Sequence, residues 1–206
     1  MSQEGSHARR PPPRSETRAR RRRVAVRGER GAARPALLEA ARAEFDEVGY
    51  EGTDTNRIAR RAGYAPQTFY RHFSDKTAIF VETYRRWLDD EWTDLEKAHG
   101  TGAEGAARIL LEHHARHREF RRSLRRLTTT DDSVRAARAE SRRHQLELVG
   151  SEDAARERTR DRLVRIALLF SIERIADAAA DGELADLGVS REDQARLLAE
   201  VIRRLR

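Results

Sequence analysis

The fold of this chain is decided by residues 53–76, which read TDTNRIARRAGYAPQTFYRHFSDK. The side chains of residues 53–55 offer oxygens to the free amides of a helix start, and the apolar residues that follow recur at the spacing of one buried helix face. Gly63 comes directly after that pattern, where a glycine adopts the left-handed conformation that ends a helix. Pro66 then suits the first turn of a new helix, because no amide partner is lost there. The stretch therefore predicts two helices joined by a tight turn.

The second of these helices is expected to run from about Pro66 to His72, and it is short and mostly polar. Only Phe69 and Phe73, four residues apart, are plainly apolar, so they are expected to pack the helix down. The other side chains face outward, and these are Gln67, Thr68, Tyr70, Arg71 and His72. A short helix of this kind after a tight turn suits the recognition helix of a helix-turn-helix in the DNA major groove.

This stretch resembles the TetR family of bacterial one-component regulators. The matching residues are Phe45, Val48, Gly49 and Tyr50, then Ile58, Ala59, Ala62 and Gly63, then Phe69, Tyr70, His72, Phe73 and Lys76. They agree with the family in order and spacing across residues 34–80, which is less than a quarter of the chain. The resemblance implies an all-α protein with an N-terminal three-helix headpiece and a C-terminal helical domain for ligand binding and dimerisation.

The resemblance also implies roles for individual residues of the motif. Thr55 and Asn56 are expected to approach a phosphate and a base edge, although Thr55 also suits a plain helix N-cap and both roles are compatible. Base readers are expected among Gln67, Thr68 and Arg71, because an amide pairs with adenine, a guanidinium with guanine, and a threonine methyl touches thymine. Phosphate contacts are expected from Tyr70, His72 and Lys76. The start of the helix, Ala65 and Pro66, is part of this surface, but Ala65 replaces the Ser or Thr cap of many relatives.

Two predicted helices flank the motif. Residues 34–48 carry apolar side chains at helical spacing and end at Gly49, so they complete the three-helix headpiece. Residues 75–97 form a long connector with apolar side chains on two faces, as packing by two domains requires. The domain boundaries are therefore expected at 1–33 for an arm, 34–80 for the DNA-binding domain, and 81–206 for the effector-binding and dimerisation domain.

The arm, residues 1–33, carries ten arginines and three glutamates, which accounts for the whole formal net charge of +7. With few large apolar residues and three consecutive prolines, it cannot bury enough surface to fold alone. It is either an electrostatic tether or minor-groove arm on DNA, or a solvated extension with no fixed role. Because the chain has 40 arginines and two lysines, its arginine content also fits a bias in codon usage.

The remainder of the chain is predicted to be helical. Helices are expected over about 106–127, either as one bent helix or as two, then after a turn at 128–132 up to about 149, over 154–180, and from Ser190 to the end. The last two are apolar and match the helices that form a four-helix dimer bundle in the family. We favour that homodimer over an intramolecular core, since a palindrome-reading motif needs two copies one DNA turn apart.

Candidate residues for an effector pocket are Trp87, His114 and Phe170, while simple core filling is the alternative for Trp87. His113 and His117 lie four residues apart, a spacing that suits a metal ion. No Glu or third His lies at an obvious spacing to complete a metal site. A solvated or pocket-lining role is therefore favoured for these histidines, and no metal or cofactor is predicted.

Several other classes of protein are excluded or disfavoured. No nucleophile motif or glycine-rich phosphate loop is present, so we do not expect an enzyme. The chain has no cysteine, which rules out disulfides, and no apolar run is long enough for a signal peptide or membrane span. We expect a cytoplasmic protein with no membrane partner.

The predicted function is sequence-specific DNA binding at a palindromic operator by a transcriptional regulator. The favoured form is a repressor that a small-molecule effector releases from double-stranded DNA. The alternative is a DNA-binding protein without such an effector, controlled by abundance or by a protein partner. An enclosed, mostly apolar cavity in the C-terminal domain would favour the first.

Overall fold

The computed structural model describes residues 31–97, 100–148 and 159–205, and the regular secondary structure of these residues is entirely helical. The predicted arm lies outside them, apart from its last three residues. The helices are α1 (Ala33–Val48), α2 (Thr55–Arg61), α3 (Pro66–Tyr70), α4 (Lys76–Lys97), α5 (Gly102–Arg116), α6 (Arg118–Thr130), α7 (Asp132–Leu148), α8 (Thr159–Asp181), α9 (Glu183–Asp186) and α10 (Arg191–Leu205).

A first hydrophobic core joins the predicted headpiece, α1 to α3, to the helices above it. Phe45 of α1 and Phe69 of α3 are completely buried in it, and so is Phe80 of α4. Phe120 of α6 packs on Phe80 with ring centroids 4.9 Å apart, and α7 adds Val134. The boundary that we predict at residue 80 therefore falls inside α4, and the headpiece core continues across it.

A second core is formed by α5, α8 and α10. Its buried side chains include Leu110 of α5, Ile172 of α8, and Leu198 and Ile202 of α10, and Leu95 near the end of α4 packs against it. The connector α4 thus touches both cores, as its two apolar faces predict. Its first half belongs to the headpiece core and its last turns belong to the C-terminal one.

Three expected helix limits need correction. The helix expected from residue 106 begins at Gly102, and it breaks at His117, so that residues 102–130 form two helices. The turn expected at 128–132 is shorter, since α6 continues through Thr130. The hydroxyl of Thr128 donates to the carbonyl of Leu124 at 2.6 Å within the helix, and the chain leaves the helix at Asp131, which is extended.

The last long helices each have two faces. In α8, Ile172 and Ala176 are buried, whereas Leu163, Val164 and Phe170 are about half exposed. Within one chain, α8 is therefore buried on one face and leaves apolar side chains exposed on the other. In α10, Leu198 is completely buried. α8 and α10 pack on each other, and one face of each contributes to the second core. The opposite face of α8 leaves an apolar stripe uncovered.

None of the described helices has the length and apolar content that a membrane span requires.

Candidate DNA-binding surface and ligand cavity

The first motif helix, α2, is closed at both ends by local hydrogen bonds. The Asp54 carboxylate accepts from the backbone amide of Arg57 at 2.8 Å, so Asp54 is the N-cap and Thr55 is the first helical residue. At the other end Gly63 has a φ of +80°, and its amide donates to the carbonyl of Arg60. The next amide reaches back to Ala59 at 2.9 Å, which completes a Schellman turn.

The second motif helix, α3, spans Pro66–Tyr70, two residues less than predicted at its C-terminal end. Ala65 precedes it in an extended conformation and provides no side-chain cap. Phe69 and Phe73 are buried, as the sequence predicts, and their rings lie 5.7 Å apart. Side chains exposed on and around this helix are Gln67, Tyr70, Arg71 and His72, with Thr68 partly buried beside them.

The two motif helices are joined through a pair of hydroxyls that the sequence analysis treats separately. The Thr55 hydroxyl and the Tyr70 phenol lie 2.9 Å apart at the protein surface. This contact fixes the N-terminus of α2 against the end of α3. Asn56, the next residue of α2, is exposed beside them.

Lys76, at the start of α4, holds the loop between α1 and α2. Its ammonium group donates to the carbonyls of Tyr50 at 2.7 Å and Thr53 at 2.9 Å, and it lies 4.0 Å from the centre of the Tyr50 ring. Burial lowers the pKa of Lys76, partly offset by the nearby charge of Asp54. This internal role is additional to the phosphate contact predicted for Lys76, which stays a prediction.

A buried carboxylate anchors α2 to α1. Glu44 is 3% exposed and accepts a hydrogen bond from the hydroxyl of Thr53 at 2.9 Å. It also pairs with Arg57 at 2.5 Å and with Arg61 at 3.0 Å. A second acid, Glu47, binds the same Arg61 but is about half exposed. The placement of the motif on the headpiece therefore depends on charge as well as on apolar packing.

A cavity of about 530 Å³ lies between the two cores. Most of its wall is apolar, with the larger apolar side chains being Trp87, Leu88, Trp92, Leu95, Leu110, Leu169, Ile172, Ile202 and Leu205. The polar side chains of the wall are Glu91, Glu96, His114, Arg121, Gln145 and Glu173. This volume and composition are typical of a site for a small organic molecule.

The polar end of the cavity contains a buried chain of charged groups. The rings of His113 and His114 lie 3.5 and 3.4 Å from one oxygen of Glu91. The other ring nitrogen of His114 lies 2.9 Å from Asp177, whose two oxygens also accept from Arg121. Burial alone would raise the pKa of Glu91, but its interactions with the two histidines outweigh burial and hold the pKa at about 2. Glu91 is therefore a carboxylate at neutral pH.

Comparison with known proteins identifies the headpiece. A model of the bacterial regulatory proteins of the tetR family matches residues 37–83, which span most of α1, all of α2 and α3, and the first two turns of α4. These residues of the chain are therefore similar to the DNA-binding part of the TetR family.

Two transcriptional regulators are similar in sequence to part of this chain. The HTH-type transcriptional repressor AcnR of Corynebacterium diphtheriae is 32% identical over 104 residues, which is 50% of this chain and 53% of the relative. An HTH-type transcriptional regulator of Staphylococcus aureus is 41% identical over 56 residues, or 27% of this chain and 30% of the relative. The chain thus spans about half or less of the length of these relatives.

Solved structures extend the likeness over the whole fold. A TetR-like transcriptional regulator from Rhodococcus sp. RHA1 covers 85% of this chain and 96% of its own at 22% identity, with a TM-score of 0.58. The fatty acid degradation regulator FadR from Bacillus halodurans covers 84% and 96% at 15% identity, with a TM-score of 0.53. At these identities the likeness shows the fold alone. It confirms the predicted all-α architecture with an N-terminal helix-turn-helix.

The cavity wall contains two of the three residues predicted to line a pocket. Trp87 and His114 are in its wall, and Trp92 joins them. Phe170 does not line it. That side chain is 49% exposed on the outer face of α8, with the guanidinium of Arg142 4.0 Å above its ring. An apolar residue type at helical spacing does not reveal which face of a two-faced helix it occupies.

The three neighbouring histidines are buried, not solvated, and they extend from the cavity to the headpiece. His114 lines the cavity, while the ring of His117 lies 2.9 Å from both oxygens of Asp46 on α1. His113 stacks near Trp87 with ring centroids 4.7 Å apart. In the described residues, no group of three or more His, Asp and Glu side chains is arranged to hold a metal ion.

Sequence reasoning misses two buried acids, Glu91 in the cavity wall and Asp177 behind it, where Asp177 contacts the wall residues His114 and Arg121. Each is one acid among 35 in a chain where most acids are at the surface. A usable signal is present only for Glu91, which lies between Leu88 and Trp92 on the apolar face of α4. A charged residue within an apolar stripe is a candidate for a buried, paired site.

Proposed function

We propose that this chain is a transcriptional repressor that binds a palindromic operator as a homodimer and leaves it when a small molecule occupies the cavity. The observation that supports this proposal best is the position of α4. Its first turn, through Lys76, holds the loop before the recognition motif, and its later turns provide Trp87, Glu91 and Trp92 to the cavity wall. One rigid element therefore contacts both the motif and the cavity.

The proposed DNA-binding surface consists of the exposed residues around α3. In this proposal Gln67, Thr68 and Arg71 read bases in the major groove, while Tyr70 and His72 bind phosphates. The predicted contacts of Thr55, Asn56, Ala65, Pro66 and Lys76 complete the surface. The Thr55–Tyr70 hydroxyl pair supports it, because both members keep lone pairs or a proton free for a phosphate or a bridging water.

The proposed release follows from differential binding. A ligand shifts the protein between two arrangements only if it binds one of them more tightly. Helices of the cavity wall that reach the headpiece include α4, as described, and α5, whose C-cap residue His117 contacts Asp46 on α1. A ligand that separates α4 from α5 would tilt the headpiece and change the spacing of the two recognition helices in a dimer.

The proposed dimer uses the uncovered apolar stripe of α8. Leu163, Ala167 and Phe170 are exposed on one face at i, i+4 and i+7, and Leu197 is exposed on the neighbouring α10. Exposed apolar faces of this kind mark protein interfaces. Two copies joined there would present two recognition helices to successive turns of DNA in the cytoplasm, where a bacterial regulator meets its operator.

The test of dimerisation is Leu163→Glu, with Leu187→Glu as the matched control. Leu187 is the more exposed of the two, at 77%, but it lies outside the stripe, in the turn after α9. Light scattering on Leu163→Glu should give a monomer that loses operator binding, while Leu187→Glu stays dimeric. Two dimeric variants would remove the α8 interface from the proposal.

The test of regulation begins with selection of bound fragments from the source genome, which should return a two-fold symmetric motif. Filling the cavity with Ala106→Trp should then leave operator binding intact but abolish the response to compounds that release the parent protein. Ala106 lies in the cavity wall and is only partly buried, so the larger ring has space on one side. If no compound releases the parent, the alternative without an effector is correct.

A further inference from the structure

Three residues of the cavity wall, Trp87, Glu91 and Gln145, each have a buried polar atom with no hydrogen-bond partner among the described residues, and Glu91 is the acid of the three. Glu91 is 6% exposed, and its Oε1 makes no hydrogen bond in the described residues. The nearest nitrogens, on His113 and His114, lie 3.5 and 3.4 Å away, too far for strong hydrogen bonds. A buried acceptor left in this state costs free energy, so a donor that reaches it gains more than an exposed contact would.

The other buried charges of the cavity wall are already paired, and Glu96 is exposed. Arg121 donates to both oxygens of Asp177, at 2.9 and 3.0 Å. Glu173 is held by Arg138 and by a second arginine, each at 2.6 Å. Within the described residues, the basic side chains within 4.0 Å of Glu91 are the two histidines. Glu91 is thus the buried acid of the wall that has no arginine or lysine of the described chain within 4.0 Å.

The surroundings of Glu91 also suit a positive charge. Of the three acids in the wall, Glu173 is paired with two arginines, so Glu91 and the exposed Glu96 are the acids that a ligand anion would meet without a paired arginine in the described chain. The guanidinium of Arg121 already lies 4.9 Å from the centre of the Trp87 ring, which leaves the indole of Trp92 as the aromatic face of the wall that can attract an organic cation. The apolar remainder accommodates a hydrocarbon or aromatic body.

We infer that the ligand of the cavity is an amphipathic organic cation whose ammonium group binds Glu91 and whose apolar body lies against the tryptophans and the α8 and α10 side chains. This inference rests on the proposed function for its biological meaning, but not for its test. An amine donates the hydrogen bond that Oε1 lacks and supplies the opposite charge. A hydrogen bond between an ammonium group and a carboxylate is stronger than one between neutral groups.

The experiment measures binding without DNA, by the fluorescence of the chain's two tryptophans, both of which line the cavity. The probes are decylamine, decanol and decanoic acid below their micelle concentrations at pH 7, where the amine is a cation and the acid an anion. Decylamine is expected to bind about tenfold or more tighter than decanol, and decanoic acid more weakly than either. Glu91→Gln should bind both decylamine and decanol with the affinity that the parent has for decanol.

The control variant is Glu96→Gln, which removes an exposed acid from the same wall and should keep the preference for the amine. Should Glu91→Gln fail to fold, the comparison of the three probes on the parent protein still decides the matter. Equal affinities, tighter binding of decanoic acid, or no binding of the amine would overturn the inference. If the amine binds preferentially yet never releases the operator, the ligand class stands and the proposed release fails. If another compound releases the operator and the amine is not preferred, the proposed release stands and the inferred ligand class fails.

Discussion

Two acids of the headpiece bind the same arginine, and their difference in burial leads to a quantitative prediction. Glu44 is 3% exposed and holds Thr53, Arg57 and Arg61, while Glu47 is about half exposed and holds Arg61 alone. We expect Glu44→Ala to destabilise the protein strongly and Glu47→Ala to leave its stability close to that of the parent, since exposed ion pairs contribute little.

The magnitude follows from what Glu44→Ala leaves behind. The buried Thr53 hydroxyl loses its acceptor, and the two arginines lose a buried counter-charge. Removing one partner of a fully buried ion pair costs about 3 to 5 kcal/mol, but both arginines here retain access to water, so about 2 to 3 kcal/mol is the appropriate estimate. For a chain of this size that corresponds to a fall in Tm of roughly 5 to 10 °C.

The assay is thermal unfolding by circular dichroism, with urea unfolding as a second measure. The Tm of Glu44→Gln should lie between those of the parent and Glu44→Ala, because the amide oxygen still accepts a hydrogen bond from Thr53 while the charge is lost. Equal Tm values for Glu44→Ala and Glu47→Ala would refute the reasoning. That result would mean that apolar packing alone holds α2 on α1.

Three further predictions concern DNA and pH. Gln67→Ala or Arg71→Ala should weaken binding to the preferred DNA site by about 1 to 3 kcal/mol and relax the preference at one base position in each half-site. Selection of bound DNA sequences with both variants checks this, and an unchanged motif would mean that another face of the helix reads the bases. Deleting residues 1–30 should lower the slope of log K against log salt by about 0.9 for each lost phosphate contact, and an unchanged slope would leave the arm without a role on DNA. The pKa of Glu91 is lowered from 4.5 to about 2 in the folded chain, so its ionised form stabilises the fold above pH 4.5 and this contribution is lost as the pH falls towards 2. Urea unfolding should therefore show the parent more stable than Glu91→Gln at pH 6, with this difference in unfolding free energy decreasing as the pH falls from 4.5 towards 2. A difference that does not change with pH would contradict the lowered pKa.

Local signals predict the recognition motif well because its helix ends depend on neighbouring residues. Gly63 and Pro66 act where the sequence indicates, and Phe69 and Phe73 are buried as their spacing predicts. The cap is less certain from sequence, since residues 53–55 all offer a side-chain oxygen. The structure resolves the choice by tertiary contacts, which no local pattern contains.

The cavity and the histidines beside it are less predictable because their polar contacts join distant parts of the chain. His114 of the cavity wall and Asp177 are 63 residues apart in sequence, and His117 and Asp46, outside the wall, are 71 apart. At the level of sequence such histidines resemble solvated ones. Their burial depends on how α5 packs between α1, α4 and α8, which helical periodicity does not specify.

Lys76 shows why a residue type and a family position do not define a DNA contact. An ammonium group has three donors, and in this chain two of them are bound by the carbonyls of Tyr50 and Thr53 while the group lies over the Tyr50 ring. A phosphate contact would have to use the remaining donor or replace one of these bonds. The loop that Lys76 holds leads directly into Asp54, the cap of α2, so the lysine already fixes the position of the motif before DNA is present. Its influence on binding therefore includes the geometry of α2 as well as any charge that it presents to the backbone of the operator.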